Sequence, residues 1–208
     1  MVYKLFGIKI GMTQIFDKSG NAVPVTLLRL EPAVITQIKP SFKGGPTYVQ
    51  VGYGNLASEF LRNSTTGHMA KYQLSPKKYF AEFIIEREDP RIHIGGLIKP
   101  DWLKDEEYVT ISGISSGKGF TGLQKRHKFT RGPMTHGSKN HRASGSIGMS
   151  ATPGRVLPNK KMAGQLGNKV VTQERLKIVF LNLKNNTLVI KGSTPGKRGT
   201  LITVSPTK

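Results

Sequence analysis

A chain of 208 residues carrying 32 Lys+Arg against 12 Asp+Glu has a formal net charge of +20, far more than a small domain needs for solubility, and points to a polyanionic partner. No apolar run approaches the roughly 20 residues of a spanning helix and no basic amphipathic helix is evident, which favours nucleic acid over a membrane. The absence of Cys excludes disulfide frameworks, thiolate zinc sites and cysteine nucleophiles, and the start at Met1–Ile10 lacks the apolar stretch of a signal peptide, so a protein made and used in one compartment is expected.

The N-terminal part alternates and is rich in β-branched residues at Tyr3–Ile10 and Thr13–Phe16. A turn at Asp17-Lys18-Ser19-Gly20-Asn21 and the run Val23–Leu30 then predict a hairpin opening a β-domain. Further strands are predicted at Val34–Lys39 and Tyr48–Tyr53, on either side of a breaker run from Lys39-Pro40 to Gly44-Gly45-Pro46. From Asn55 to Leu74 the pattern is irregular, with a short helix expected near His68–Gln73, and most acidic residues crowd between Glu82 and Glu107. Residues 55–101 therefore read as a small α+β insertion, and Trp102, between Asp101 and Asp105, as a core or hinge aromatic. Tyr108–Ile114 is a strand, and the strand signal returns after Lys169 at Val170-Val171, Leu176–Leu183, Leu188–Lys191 and Leu201–Val204, with a turn at Asn185-Asn186. The expected organisation is mainly β: one domain from 1–54, 102–114 and 169–208, the insertion 55–101, and a long loop 115–168. The sequons at Asn63 and Asn185 count as chance.

Charge is distributed unevenly. Residues 1–107 hold 14 basic and 11 acidic side chains, whereas residues 108–208 hold 18 basic and a single acidic one, Glu174. A solvated face would mix both signs. Between Ser115 and Asn168 no periodicity lasts long enough to make a core, and a structureless loop of that length belongs in a compact domain only if it is functional. Ordering it costs about 1–2 kcal/mol per residue in backbone entropy, which its sparse apolar residues cannot offset. An external partner must hold it. Lys118, Lys125, Arg126, Lys128, Arg131, Lys139, Arg142, Arg155, Lys160, Lys161 and Lys169 are placed to neutralise phosphates and release counterions. His127, Phe129, His136 and His141 suit stacking on unpaired bases. Gly117, Gly119, Gly122, Gly137, Gly145, Gly148 and Gly154 allow close approach of backbone to phosphate and sugar.

Sharper motifs fail on context. Gly117-Lys118-Gly119-Phe120-Thr121-Gly122 matches G-x-G-x-x-G after a strand, but Leu123–Thr130 is basic and no acidic residue follows before Glu174. Neither Gly117-Lys118 nor Gly196-Lys197 has the glycine spacing or following Ser/Thr of a phosphate loop. The three loop histidines have no Cys or carboxylate beside them for a metal, and no carboxylate pair is available for hydrolysis. No cofactor, metal, catalytic residue or small-molecule substrate is therefore expected.

The motif series resembles large-subunit ribosomal protein three of the bacterial and organellar type, nearly end to end. The resemblance rests on Gly7-Ile8-Lys9-Ile10-Gly11-Met12-Thr13 with Phe16, on Gly113–Arg126, and on Thr135-His136-Gly137-Ser138 with His141-Arg142. It continues at Gly145-Ser146-Ile147-Gly148, Thr152-Pro153-Gly154, Lys160-Lys161-Met162-Ala163-Gly164-Gln165 with Gly167-Asn168, Lys191-Gly192 and Pro195-Gly196. It implies a translation-factor-like β-barrel bearing a long extended RNA-binding loop that threads ribosomal RNA toward the peptidyl transferase centre. It also implies early assembly, contact with the RNA's 3′-terminal domain, large-subunit proteins fourteen and nineteen as neighbours, and a ribosome in the bacterial cytoplasm or plastid stroma. The loop tip would fall on Gly145, Ser146, Ile147, Gly148, Met149, Ser150, Ala151, Thr152 and Pro153. Thr110 stands where the family usually has Asp or Asn, and Ala151 where some members have a methylated Gln. Two other classes stay open: a nucleotide-using enzyme working through the Gly117 loop, which should bind ATP or NAD, and a free RNA chaperone, which should bind unrelated RNAs equally.

Overall fold

The computed structural model describes residues 4–40, 46–56, 60, 62–85 and 92–207. Tyr3 of the first predicted strand, residues 41–45 of the breaker run and residues 86–91 of the acidic cluster lie outside that set. Two compact units divide the chain: Met1–Ile114 with Val170–Lys208, and Ser115–Lys169.

In the first unit, period-two burial makes strands. Along β1 (Leu5–Phe16) the side of Leu5, Gly7 and Lys9 is buried while Phe6, Ile8 and Ile10 are half-buried, as a pleated strand on a core requires. β2 (Ala22–Glu31) pairs with it antiparallel through the turn, with a register shift between Lys9 and Gly11. β7 (Tyr108–Ile114), β10 (Val170–Asn182), β11 (Thr187–Lys191) and β12 (Leu201–Pro206) complete a closed barrel in the order β1-β12-β7-β10-β11-β2. Closure leaves no free edge on which another chain could add a strand. β10 shifts register between Gln173 and Leu176, and Glu174 falls in that irregularity with Arg175, whose φ is 54°.

β3 (Ala33–Lys39) and β4 (Thr47–Asn55) form where strands are expected, but they lie outside the barrel. They pair with β5 (Lys77–Ile85) and β6 (Leu97–Ile98) in a four-stranded sheet ordered β5-β4-β3-β6. Alternation reports which face of a strand is buried and carries no information on which strand lies beside it. The insertion thus contributes β5 and β6 to a sheet and carries α1 (Asn63–Ala70), which starts earlier than the expected helix, and a 3-10 turn at Pro100–Lys104. Leu5, Leu28, Val109, Ile111, Leu188 and Ile202 of the barrel share one core with Ile35, Val49, Val51, Phe83 and Ile85 of the second sheet. Burying each such side chain contributes about 1.5–3 kcal/mol before entropy. Tyr53 is fully buried in it, donates from its hydroxyl to the Lys4 carbonyl at 2.6 Å, and packs edge-on to Phe6 with centroids 4.4 Å apart. Trp102 packs against the same cluster, half-buried. The fold is mainly β with a small helical part.

Candidate nucleic-acid interface

Ser115–Lys169 is a unit with almost no interior: Thr121 and Leu123 are its buried side chains. Backbone hydrogen bonds take the place of a core at its base. Ser115 donates to the Lys169 carbonyl at 2.9 Å and accepts from Asn168 at 3.1 Å, and the Ser115 hydroxyl adds a bond to Lys169 O at 3.0 Å. Lys118 N donates to Leu166 O at 2.8 Å and Leu166 N to Gly119 O at 3.0 Å, leading into the two-residue ribbon of β8 (Phe120–Thr121) and β9 (Gly164–Gln165). Gly167, at φ 73°, has no room for a side chain: a Cβ would collide with the Ser116 carbonyl. A single-turn helix, α2 (Leu123–His127), follows the ribbon and ends in Lys128 at φ 59°.

Two of the expected RNA ligands close the next step of the ladder. Arg126 Nη1 donates to Met162 O at 2.7 Å, and His127 Nε2 donates to the same carbonyl at 3.1 Å. Farther out, Gly132 N donates to His141 O at 3.0 Å and His141 Nδ1 to Pro133 O at 2.8 Å. Because a carbonyl oxygen only accepts, these contacts fix the proton on Nε2 of His127 and on Nδ1 of His141. Beyond His141, every residue from 142 to 163 is exposed, including the tip Gly145–Pro153, where Ser146 Oγ donates to Gly148 O at 3.0 Å.

Lys118, Lys125, Lys128, Arg131, Lys139, Arg142, Arg155, Lys160, Lys161 and Lys169 are all exposed, as is His136. Arg126, His127 and His141 are half-buried and bonded inside the loop. No carboxylate occurs in the unit, so its cations are not neutralised from within it. Among the described residues the ion pairs lie elsewhere. Lys39–Glu82 holds the Glu82 carboxyl below its ordinary range chiefly through the Lys39 hydrogen bond, and Lys177–Glu107 raises the Lys177 ammonium through a bond to Glu107. Apolar side chains are also bare along the loop: Met134, Ile147, Met149, Val156, Leu157 and Met162 are each at least 40% exposed.

One basic element has no place in the loop-centred expectation. Lys9 is buried in β1 and its ammonium donates to the carbonyls of Thr194 at 2.7 Å and Gly196 at 3.2 Å. Thr26 Oγ1 adds a 2.6 Å bond to Gly192 O at the start of the turn and Gly199 N donates to Lys9 O at 2.8 Å at its end, so the turn carrying exposed Lys197 and Arg198 is held on both sides. The signal in the sequence was a lysine at an inward position of an alternating strand.

Barrel and loop together define a class: a mainly β protein that bears a polycationic loop lacking a core of its own. The description "Ribosomal protein L3" belongs to the family model that matches residues 97–186. The chain is 56% identical over 206 residues to large ribosomal subunit protein uL3c of Phaeodactylum tricornutum, covering 99% of both chains. It is 46% identical to uL3c of Porphyra purpurea over 97% of this chain and 98% of that one, and 45% identical to uL3 of the Trichodesmium erythraeum large subunit over 99% and 97%. The chain belongs to the ribosomal protein L3 family.

Proposed function

We propose that this chain is a structural, non-catalytic constituent of the large ribosomal subunit that binds its ribosomal RNA through the Ser115–Lys169 loop. The observation that carries the reading is the loop itself: ten exposed Lys and Arg side chains, no carboxylate, and a stretch from 142 to 163 without one shielded residue. Such a chain cannot offset its ordering entropy alone, and a folded RNA supplies both the counter-charge and the packing surface. The exposed cations from Lys118 to Lys169 bind phosphate, with His136 free to stack on a base. Arg126, His127 and His141 set the path of the loop and contact RNA with whatever edge their internal bonds leave. Gly145–Pro153, uncharged throughout, is the tip that reaches toward the peptidyl transferase centre. Lys197 and Arg198, on the turn pinned by Lys9, add a phosphate contact.

The first unit docks on the RNA's 3′-terminal domain early in assembly, next to large-subunit proteins fourteen and nineteen. Its site is the ribosome, in a plastid stroma or a bacterial cytoplasm, in keeping with the plastid-type and cyanobacterial relatives. Among the described residues no helix is long and apolar enough to cross a membrane. The test is binding of the full chain to large-subunit RNA across a salt series. If about half of the loop cations engage phosphate, log affinity falls against log salt with a slope of about 3 to 5 from the loop alone. A loop variant with Lys118, Lys160 and Lys161 changed to Gln should lower that slope, and an unchanged slope rejects the electrostatic reading.

A further inference from the structure

We propose that the basin between residues 128–132 and 140–145 is a receptacle for one unstacked nucleotide of the bound RNA; this rests on the loop being an RNA ligand and adds a specific subsite to it. The space measures about 700 Å³ and is lined by Lys128, Phe129, Thr130, Arg131, Asn140 and Ser144 among others. Pockets of roughly 300–1,000 Å³ hold small organic ligands, and a base with its ribose and phosphate is of that size. The lining divides as a nucleotide does. Phe129 offers a ring for a base, Lys128 and Arg131 offer charge for a phosphate, and the Thr130 and Ser144 hydroxyls with the Asn140 amide offer partners for base edges and the 2′-hydroxyl.

The basin is built by the chain itself. Gly132 N to His141 O at 3.0 Å and His141 Nδ1 to Pro133 O at 2.8 Å tie its two walls together, and Gln124 Nε2 donates to Arg142 O at 3.1 Å just beyond. Gly132 allows the walls to meet, because a Cβ there would collide with the Asn140 carbonyl. The His127 and Phe129 ring centroids stand 6.1 Å apart at a tilted angle. The hydrogen bonds tie the two walls to each other, so the RNA contacts that order the loop bring the basin into shape with it. A paired helix offers no base that could enter, so the occupant is a splayed-out nucleotide, the feature by which single-stranded and bulged RNA is recognised.

The experiment uses the full chain on large-subunit RNA. Ultraviolet crosslinking of the wild type should give an adduct at Phe129 with one nucleotide position. Phe129→Leu should weaken binding about tenfold, as loss of one stacked base does, and change the chemical reactivity of that same nucleotide while leaving the salt slope unaltered. Arg131→Gln should lower the slope by about one. Scattered or absent Phe129 adducts, or a Phe129→Leu footprint identical to wild type, overturn the receptacle. The triple Lys→Gln variant separates the two levels: if the slope responds to it but the Phe129 footprint does not appear, the basin fails and the RNA reading stands.

Discussion

At position 9 an ammonium group stands where the alternation of β1 places an inward side chain. Its charge is met by two carbonyl oxygens and, among the described residues, by no carboxylate, and burial lowers its pKa from 10.5. Desolvation therefore opposes the fold while the hydrogen bonds hold the turn that carries Lys197 and Arg198. Lys9→Met keeps the aliphatic stem but leaves the Thr194 and Gly196 carbonyls without their donor, which should cost about 1–3 kcal/mol. The pH dependence has a definite sign. A lysine whose folded pKa is depressed binds more protons when unfolded, so the wild type gains stability as pH rises from its lowered folded value toward 10.5. Lys9→Met lacks that gain. Urea unfolding of both proteins at neutral pH and near the upper end of that window should show the gap between them widening with pH; a constant gap would mean that the folded ammonium titrates as in the unfolded chain.

At the scale of elements, the base of the loop depends on Gly167, whose positive φ and proximity to Ser116 O leave no place for a methyl group. Gly167→Ala should open the bonds between Lys118 and Leu166, costing about 1–3 kcal/mol locally. Amide exchange would register this as faster exchange at Lys118 and Leu166 with the strands of the barrel unchanged, and unaltered protection at those two amides would show that the ladder does not depend on the glycine. This role was not legible beforehand: glycines read as points of approach to RNA include several, such as Gly119, Gly137 and Gly145, that face open space, whereas Gly132 and Gly167 pack against the chain itself. Strands such as β1, β2 and β7 were legible because one face is buried and the other is not. β5 was not, since its outer face carries Phe80 and Ile84 beside Glu82, and α1 lies over part of it through His68, bonded to Gln50 and 6.3 Å from the Phe80 ring. Apolar residues on both faces erase the alternation, so residues 55–101 read in sequence only as a small α+β insertion. The loop's cations were legible from charge alone, but its ladder consists of main-chain bonds, which leave little trace in side-chain pattern.

At the scale of the whole molecule, the chain leaves the barrel after Ile114 and re-enters at Val170, and these two residues are register partners on β7 and β10. The ends of the 55-residue excursion are therefore already at hairpin distance, and a two-residue Asn-Gly turn could join them. None of the residues that form the shared core lies between 115 and 169. Replacing Ser115–Lys169 by Asn-Gly removes eleven basic side chains and no acidic one, while leaving the buried apolar surface of the first unit intact. The shortened protein should unfold cooperatively within a few degrees of the full chain, and its RNA affinity should lose the salt dependence of about 3 to 5 that the loop contributes. Paired thermal melts and salt titrations check both halves. A shortened chain that melts without cooperativity would make the loop part of the fold, and one that keeps the full salt slope would move the RNA contact to the barrel. If both expectations hold, folding and RNA binding are divided between two stretches of one sequence: the fold follows from strands with an inside, and the binding from a loop that has none.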